Sequence, residues 1–225
     1  MPAEGPLRDR AAAGGNAAFE LIETLRWETG IGFVRLDRHL ARLCASAAAL
    51  GFAYDGQHVA KVLGEAIGLA GAPLRTRLAL SRDGNLAVST QAFEPLPPGK
   101  VWTVRLARTR LESADPLLRH KTSRRDAYLC ARSEYAPAEA DEVLLANERG
   151  ELCEGTITNI FADFGDGALA TPRLECGLLP GILRGELLDH DKAVETVFAF
   201  RDLEKARALF VGNSLRGLIP AVIAD

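Results

Sequence analysis

Three prolines within six residues, Glu94-Pro95-Leu96-Pro97-Pro98-Gly99, constrain the fold of this chain more than any other feature. Proline lacks the N–H that a helix interior needs and holds φ near −65°, so the stretch forms a stiff connector. On each side of it, strand and helix signals mix. The reading is α+β: a small N-terminal domain over residues 17–94, a linker at 95–99 and a larger domain over 100–225. Residues 1–16 are rich in alanine, glycine and proline and have no continuous apolar h-region, so they read as a loose leader.

Within the first half, Ala18 to Arg26 alternates apolar and polar residues as a strand does, and a turn at Glu28–Gly32 returns the chain through a short strand at Phe33–Leu36. Asp37 stands where an N-cap would, before Leu40, Leu43, Ala47 and Leu50 at helical spacing. A second helix over Gln57–Ala70 and a hairpin of Arg75–Leu80 with Leu86–Phe93 complete this half. Beyond the prolines, strands are predicted at Val101–Ala107, Glu142–Ala146, Thr158–Phe164 and, last, Ala208–Gly212. Helices are predicted at Ser123–Glu134 and Gly181–Asp189.

Composition narrows the function by exclusion. Of the 225 residues, 48% are apolar and 25% charged, which fits a folded protein in water. A net charge of −3 with no basic block leaves no footprint for nucleic acid. The apolar runs, such as Ala45–Phe52, are too short to span a bilayer. Cys44, Cys130, Cys153 and Cys176 stand far apart, as do the four histidines, so neither a metal site nor a disulfide framework is expected, and a reduced cytoplasm is.

Three segments carry chemistry. Leu152-Cys153-Glu154-Gly155-Thr156-Ile157-Thr158-Asn159-Ile160-Phe161 sets one carboxylate beside a glycine and a run of hydroxyls. His120-Lys121-Thr122-Ser123-Arg124-Arg125 offers one lysine among cations, whose field would lower its pKa. Gly177-Leu178-Leu179-Pro180-Gly181-Ile182-Leu183-Arg184 reads as a turn feeding a helix, whose N-terminus attracts anions. A lysine, a carboxylate and an anion cradle are what an enzyme needs to hold pyridoxal phosphate. Each also has a plain alternative: a solvated basic run for Lys121, a turn glutamate for Glu154, a simple Pro-Gly turn, and an exposed helix arginine for Arg42.

These segments, with His39-Leu40-Ala41-Arg42-Leu43, resemble the class IV aminotransferase family of fold-type IV pyridoxal phosphate enzymes, over nearly the whole chain from Phe19. The resemblance implies a small N-terminal α/β domain and a larger β-barrel-like domain with flanking helices. It also implies a small-molecule substrate and a homodimer. Residue by residue, it implies that Lys121 bonds the cofactor and moves protons, and that Glu154 pairs with the pyridine nitrogen. Arg42, Thr158, Ile182, Leu183, Asn213 and Ser214 would complete the cofactor site. Leu183 replaces the family's usual threonine, and Arg124 stands where the lyases commonly carry asparagine.

Phe19–Trp27 and Gly212–Leu218 look more like the aminodeoxychorismate lyases of this family than its branched-chain or D-amino acid transaminases. That implies a step toward folate and work beside a synthase. Thr24, Arg26 and Arg216 become candidates for a substrate with two carboxylates. Thr24 and Arg26 share a face of their strand, which equally could be the solvent face. A non-catalytic family relative acting as a scaffold is the alternative outside enzymology.

Overall fold

The computed structural model describes residues 19–224; the expected leader at 1–16 lies outside them. A four-stranded antiparallel sheet runs in the order β2 (Gly32–Phe33), β1 (Leu21–Glu28), β3 (Leu74–Leu80), β4 (Leu86–Ala92). Helices α1 (Leu36–Leu50) and α2 (Gly56–Ile67) cover one face. Leu21 and Leu25 of β1 meet Leu43 and Ala47 of α1 and Val59 and Leu63 of α2 in a common core. Glu23, between the two leucines on that face, therefore points at α1. Ile22, Thr24 and Arg26 take the opposite face.

The start of α1 departs from expectation. Only Gly32 and Phe33 pair with β1, and the helix opens at Leu36 behind Arg35, whose φ is 59°. Asp37 thus lies in the first turn, where it favours the helix dipole, and is not the cap. Arg35 is held in this left-handed conformation from outside the helix. Its Nε donates to Glu186 at 2.8 Å and its Nη1 to the Ser214 carbonyl at 3.2 Å.

The second sheet has eight strands, in the order β10 (Ala193–Thr196), β9 (Leu169–Pro172), β8 (Asn159–Asp163), β11 (Ala208–Asn213), β12 (Gly217–Ile223), β5 (Trp102–Leu111), β6 (Glu142–Asn147), β7 (Leu152–Gly155). It curls: Leu152 N on edge strand β7 donates to the carbonyl of Phe198, just beyond the other edge, at 2.9 Å. Val104, Leu144, Leu152, Ile160, Val211 and Ile219 fill the interior of the curl. Helix α3 (Asp126–Ser133) and helix α4 (Ile182–Asp189) pack outside it. Among the described residues no helix is long and apolar enough to cross a membrane.

Four strands went unpredicted. β7, β9 and β10 are four residues each, too short for a period to show. β12 follows the strand expected to be last and contains Pro220, a strand breaker. It is tolerated because pairing with β5 begins only at Ala221. The helix expected from Ser123 starts three residues later. Lys121 to Ser123 run extended along β1 instead, with Ile22 N donating to the Lys121 carbonyl and Ser123 N to that of Glu20, each at 2.8 Å. This strip joins the two sheets at the lysine.

Candidate active site

Lys121 is therefore presented from backbone locked onto β1. Its side chain lines a cavity of about 380 Å³ between the two sheets, shared with Arg42, Glu154, Ile182 and Ser214. Burial, reinforced by Arg125 and then Arg42, pushes its pKa down to about 7, against the opposing pull of Glu23 and Glu154. A lysine so placed is a neutral nucleophile in a large fraction of molecules at neutral pH.

Glu154, on β7, is 4% exposed. Tyr128 Oη donates to its Oε1 at 2.7 Å and Leu179 N to the same oxygen at 3.1 Å. Burial nonetheless pushes its pKa up to about 7, outweighing those two donors and the more distant Arg125 and Lys121. A cationic partner in the cavity would return it to the ionised form. Arg125 stacks over the Tyr128 ring at 4.5 Å and donates to the Thr156 carbonyl, which fixes that phenol.

The anion side is built around a residue with no place in the sequence reading. Buried Glu23 receives Arg42 at both oxygens, Nε at 2.8 Å and Nη2 at 2.6 Å. It also holds His39 Nδ1 at 2.7 Å, and His39 Nε2 lies 2.8 Å from Ser214 Oγ. Burial alone would raise the Glu23 carboxyl, but Arg42 and His39 bring it down to about 2. Its charge therefore stabilises the fold fully above pH 4.5, and that contribution is lost as pH falls toward 2. Melting curves of Glu23→Gln should show a lower Tm than the parent at pH 7 and no difference near pH 2.

Gly181 and Ile182 line the same cavity and open α4, which has no side-chain cap, so the positive end of that helix lies in the wall. A Cβ on Gly181 would strike Asn159 Oδ1, so only glycine lets the backbone approach this closely. Leu183 does not join them. Its side chain packs with Phe161, Leu187 and Ala193 and is 4% exposed, which leaves only its backbone for a ligand.

Other expected contributors are already engaged. Asn213 Oδ1 accepts from Leu215 N and Arg216 N, closing the turn after β11, and its Nδ2 donates to the Ile157 carbonyl. Thr158 lines the cavity, yet its hydroxyl donates to Glu142 at 2.8 Å. Glu142, 1% exposed, also accepts from Thr156 N, Thr156 Oγ1 and Ile157 N. This carboxylate is the scaffold on which the 155–158 turn is wound, so tightly that a Cβ on Gly155 would lie 2.8 Å from it. Glu142→Ala strands those buried donors and should cost about 3 kcal/mol or more in denaturant melts; a loss under 1 kcal/mol would refute the role.

Of the three candidates for the substrate, Thr24 and Arg216 line the cavity and Arg26 does not. Its Nη1 donates to the Leu215 carbonyl and its Nε sits 2.9 Å from Glu28. Arg75 of β3, missed in the sequence, is in the lining. The hint was there: Arg75 and Arg77 alternate on one strand, and strand arginines flanking a cavity are easily read as surface. Among the described residues no group of three or more metal-ligating side chains gathers.

A lysine with a depressed pKa, a buried carboxylate, an anchored arginine and an uncapped helix end surround one cavity. That donor set fits a phosphorylated pyridine aldehyde, and the fold and site together define a pyridoxal phosphate-dependent protein. The chain belongs to the class IV aminotransferase family, whose model matches residues 20–223. A crystal structure of a Mesorhizobium loti protein, provisionally named an amino-acid aminotransferase, is 65% identical with a TM-score of 0.90. It covers 92% of this chain and 100% of its own. A Schizosaccharomyces pombe protein provisionally named an aminodeoxychorismate lyase is 28% identical over 194 residues, 84% of this chain and 83% of that one. A Legionella pneumophila structure provisionally named a 4-amino-4-deoxychorismate lyase is 23% identical, with a TM-score of 0.80 over 92% of this chain and 83% of its own. It shows the shared fold.

Proposed function

We propose that this protein is a 4-amino-4-deoxychorismate lyase, releasing 4-aminobenzoate and pyruvate. The observation that carries the reading is the charge of the cavity beyond the cofactor groups. Arg75 and Arg216 line it in addition to Arg42, Arg124 and Arg125, which suits a substrate with two carboxylates. The name of the fission yeast relative agrees.

When bound, pyridoxal phosphate supplies a protonated ring that takes up the electron pair of a breaking C–H bond. Glu154 keeps the ring nitrogen protonated, and Tyr128 orients that carboxylate. Arg42, Ser214 and the N–H groups at Ile182 and Leu183 take the phosphate. Lys121 Nζ anchors the cofactor, then removes the proton from the substrate carbon that bears nitrogen. Thr24, Arg75 and Arg216 hold the substrate so that this C–H bond faces Lys121. Loss of the enolpyruvyl group leaves an aromatic ring, which drives the reaction forward.

A second reading, an amino-acid transaminase, is favoured by the name of the 65% identical relative. It would use the same lysine and carboxylate, with the amino group passed on to a 2-oxo acid. One experiment separates them: cofactor-loaded protein is given enzymatically generated aminodeoxychorismate, and separately amino donors with a 2-oxo acid. Equimolar 4-aminobenzoate and pyruvate support the lyase. Amino transfer without either product sinks it, and neither activity leaves the scaffold reading. We further propose a homodimer, which a sedimentation mass of one chain would refute.

A further inference from the structure

A second crevice of about 290 Å³ opens beside the first, and Arg216 lines both. Its lining combines the apolar Phe93, Leu96, Leu218 and Pro220 with the cations Arg26, Lys100 and Arg216, and holds no carboxylate. The acids paired with two of these cations are not part of the lining. Glu28 meets Arg26 at 2.9 Å, and Asp141 meets Lys100 at 3.2 Å. A guanidinium has five N–H donors; on Arg26 the Leu215 carbonyl takes one, while Nε, ion-paired with Glu28, makes no hydrogen bond. An ammonium has three, of which Asp141 accounts for one on Lys100.

We propose that this crevice binds a ring-bearing carboxylate, the ring against Phe93, Leu96 and Leu218 and the carboxylate between Arg26 and Lys100. Three features favour that ligand class over a bare anion or an apolar one. Pro95 and Pro97 lie in the lining and restrict its backbone, which suits a rigid ring better than a flexible chain. The Arg26 guanidinium already lies 5.6 Å from the Phe93 ring, so cation and aromatic surface converge at one end. The cations outnumber acids in the lining by three to none. This gives Arg26, which the main cavity excludes, a site of its own. Resting on the lyase reading, the natural occupant is the aromatic carboxylate product, passed from the Lys121 cavity across Arg216.

The test titrates 4-aminobenzoate into cofactor-loaded protein by calorimetry. Lys100 and Leu218 are partly exposed at 39% and 37%, so Lys100→Glu and Leu218→Glu change the crevice at its surface rather than the core. Wild type should bind one molecule in the crevice, Lys100→Glu should weaken it about tenfold, and Leu218→Glu should remove it. Arg75→Ala, at a position that lines the main cavity and not the crevice, should leave this affinity within about twofold. No binding to wild type, unchanged binding to both crevice variants, or loss in Arg75→Ala alone would each overturn the proposal. Binding as described by a protein that makes no 4-aminobenzoate would instead overturn the lyase reading and leave the crevice standing.

Discussion

Lys121→Ala should lose activity by a factor on the order of 10³ or more, because it removes both the anchor and the base in one change. The cofactor itself should also fail to attach. Borohydride reduction of the loaded parent should fix the cofactor's mass to the chain, while the variant remains at its own mass. A variant that is still labelled would mean another amine does the work. The pH profile of attachment gives a second check. Burial, Arg125 and Arg42 bring the Lys121 amine to about pKa 7 from 10.5. The neutral amine is the attacking form, so attachment should rise between about pH 6 and 8 and then level off. An unperturbed surface lysine would keep rising toward pH 10. The same shift costs folding stability: the penalty is absent above 10.5, develops as pH falls, and is complete below about 7. Removing the lysine should therefore raise the Tm of the cofactor-free protein at pH 7 while destroying its chemistry.

The parts of this site legible in the sequence were those whose meaning is local. Lys121 sits in a short cationic run, Glu154 opens a run of hydroxyls, and Arg42 follows His39 by three residues on one helix face. Amphipathic spacing likewise located α1 and the β3–β4 hairpin, because one face of each is buried and the other wet. What stayed hidden depends on partners far away in the chain. Glu23 is one glutamate in an alternating strand until His39 and Arg42 converge on it, with Ser214, far along the chain, closing on His39. Glu142 looks like the first residue of an apolar strand, and nothing near it announces that the 155–158 turn will wrap its carboxylate. The bond from Thr158 Oγ1 to Glu142 is hidden for the same reason: its partner lies 16 residues upstream. Arg26 shares a strand face with Thr24, but the twist of β1 and the turn at Leu215 send it to a different cavity.

Glu154→Gln separates the electronic role of that carboxylate from its place in the fold. The amide keeps the shape, and its oxygen can still accept from Tyr128 Oη and Leu179 N. It cannot hold a charge against the ring nitrogen. Activity should fall by a factor on the order of 10² or more, since the ring then accepts electrons poorly. Stability should move the other way when the cofactor is absent. Burial raises Glu154 from 4.5 to about 7, so keeping it ionised costs nothing below pH 4.5, and the cost grows to its full value above about 7. Converting that shift gives about 3 kcal/mol as an upper figure. At pH 8 the cofactor-free variant should therefore melt above the parent, and at pH 4.5 the two should coincide. Adding pyridoxal phosphate should reverse the order at pH 8, because only the parent gains the pairing between carboxylate and ring cation. A cofactor-induced rise in Tm as large in the variant as in the parent would show that Glu154 does not face the ring nitrogen, however well the fold agrees.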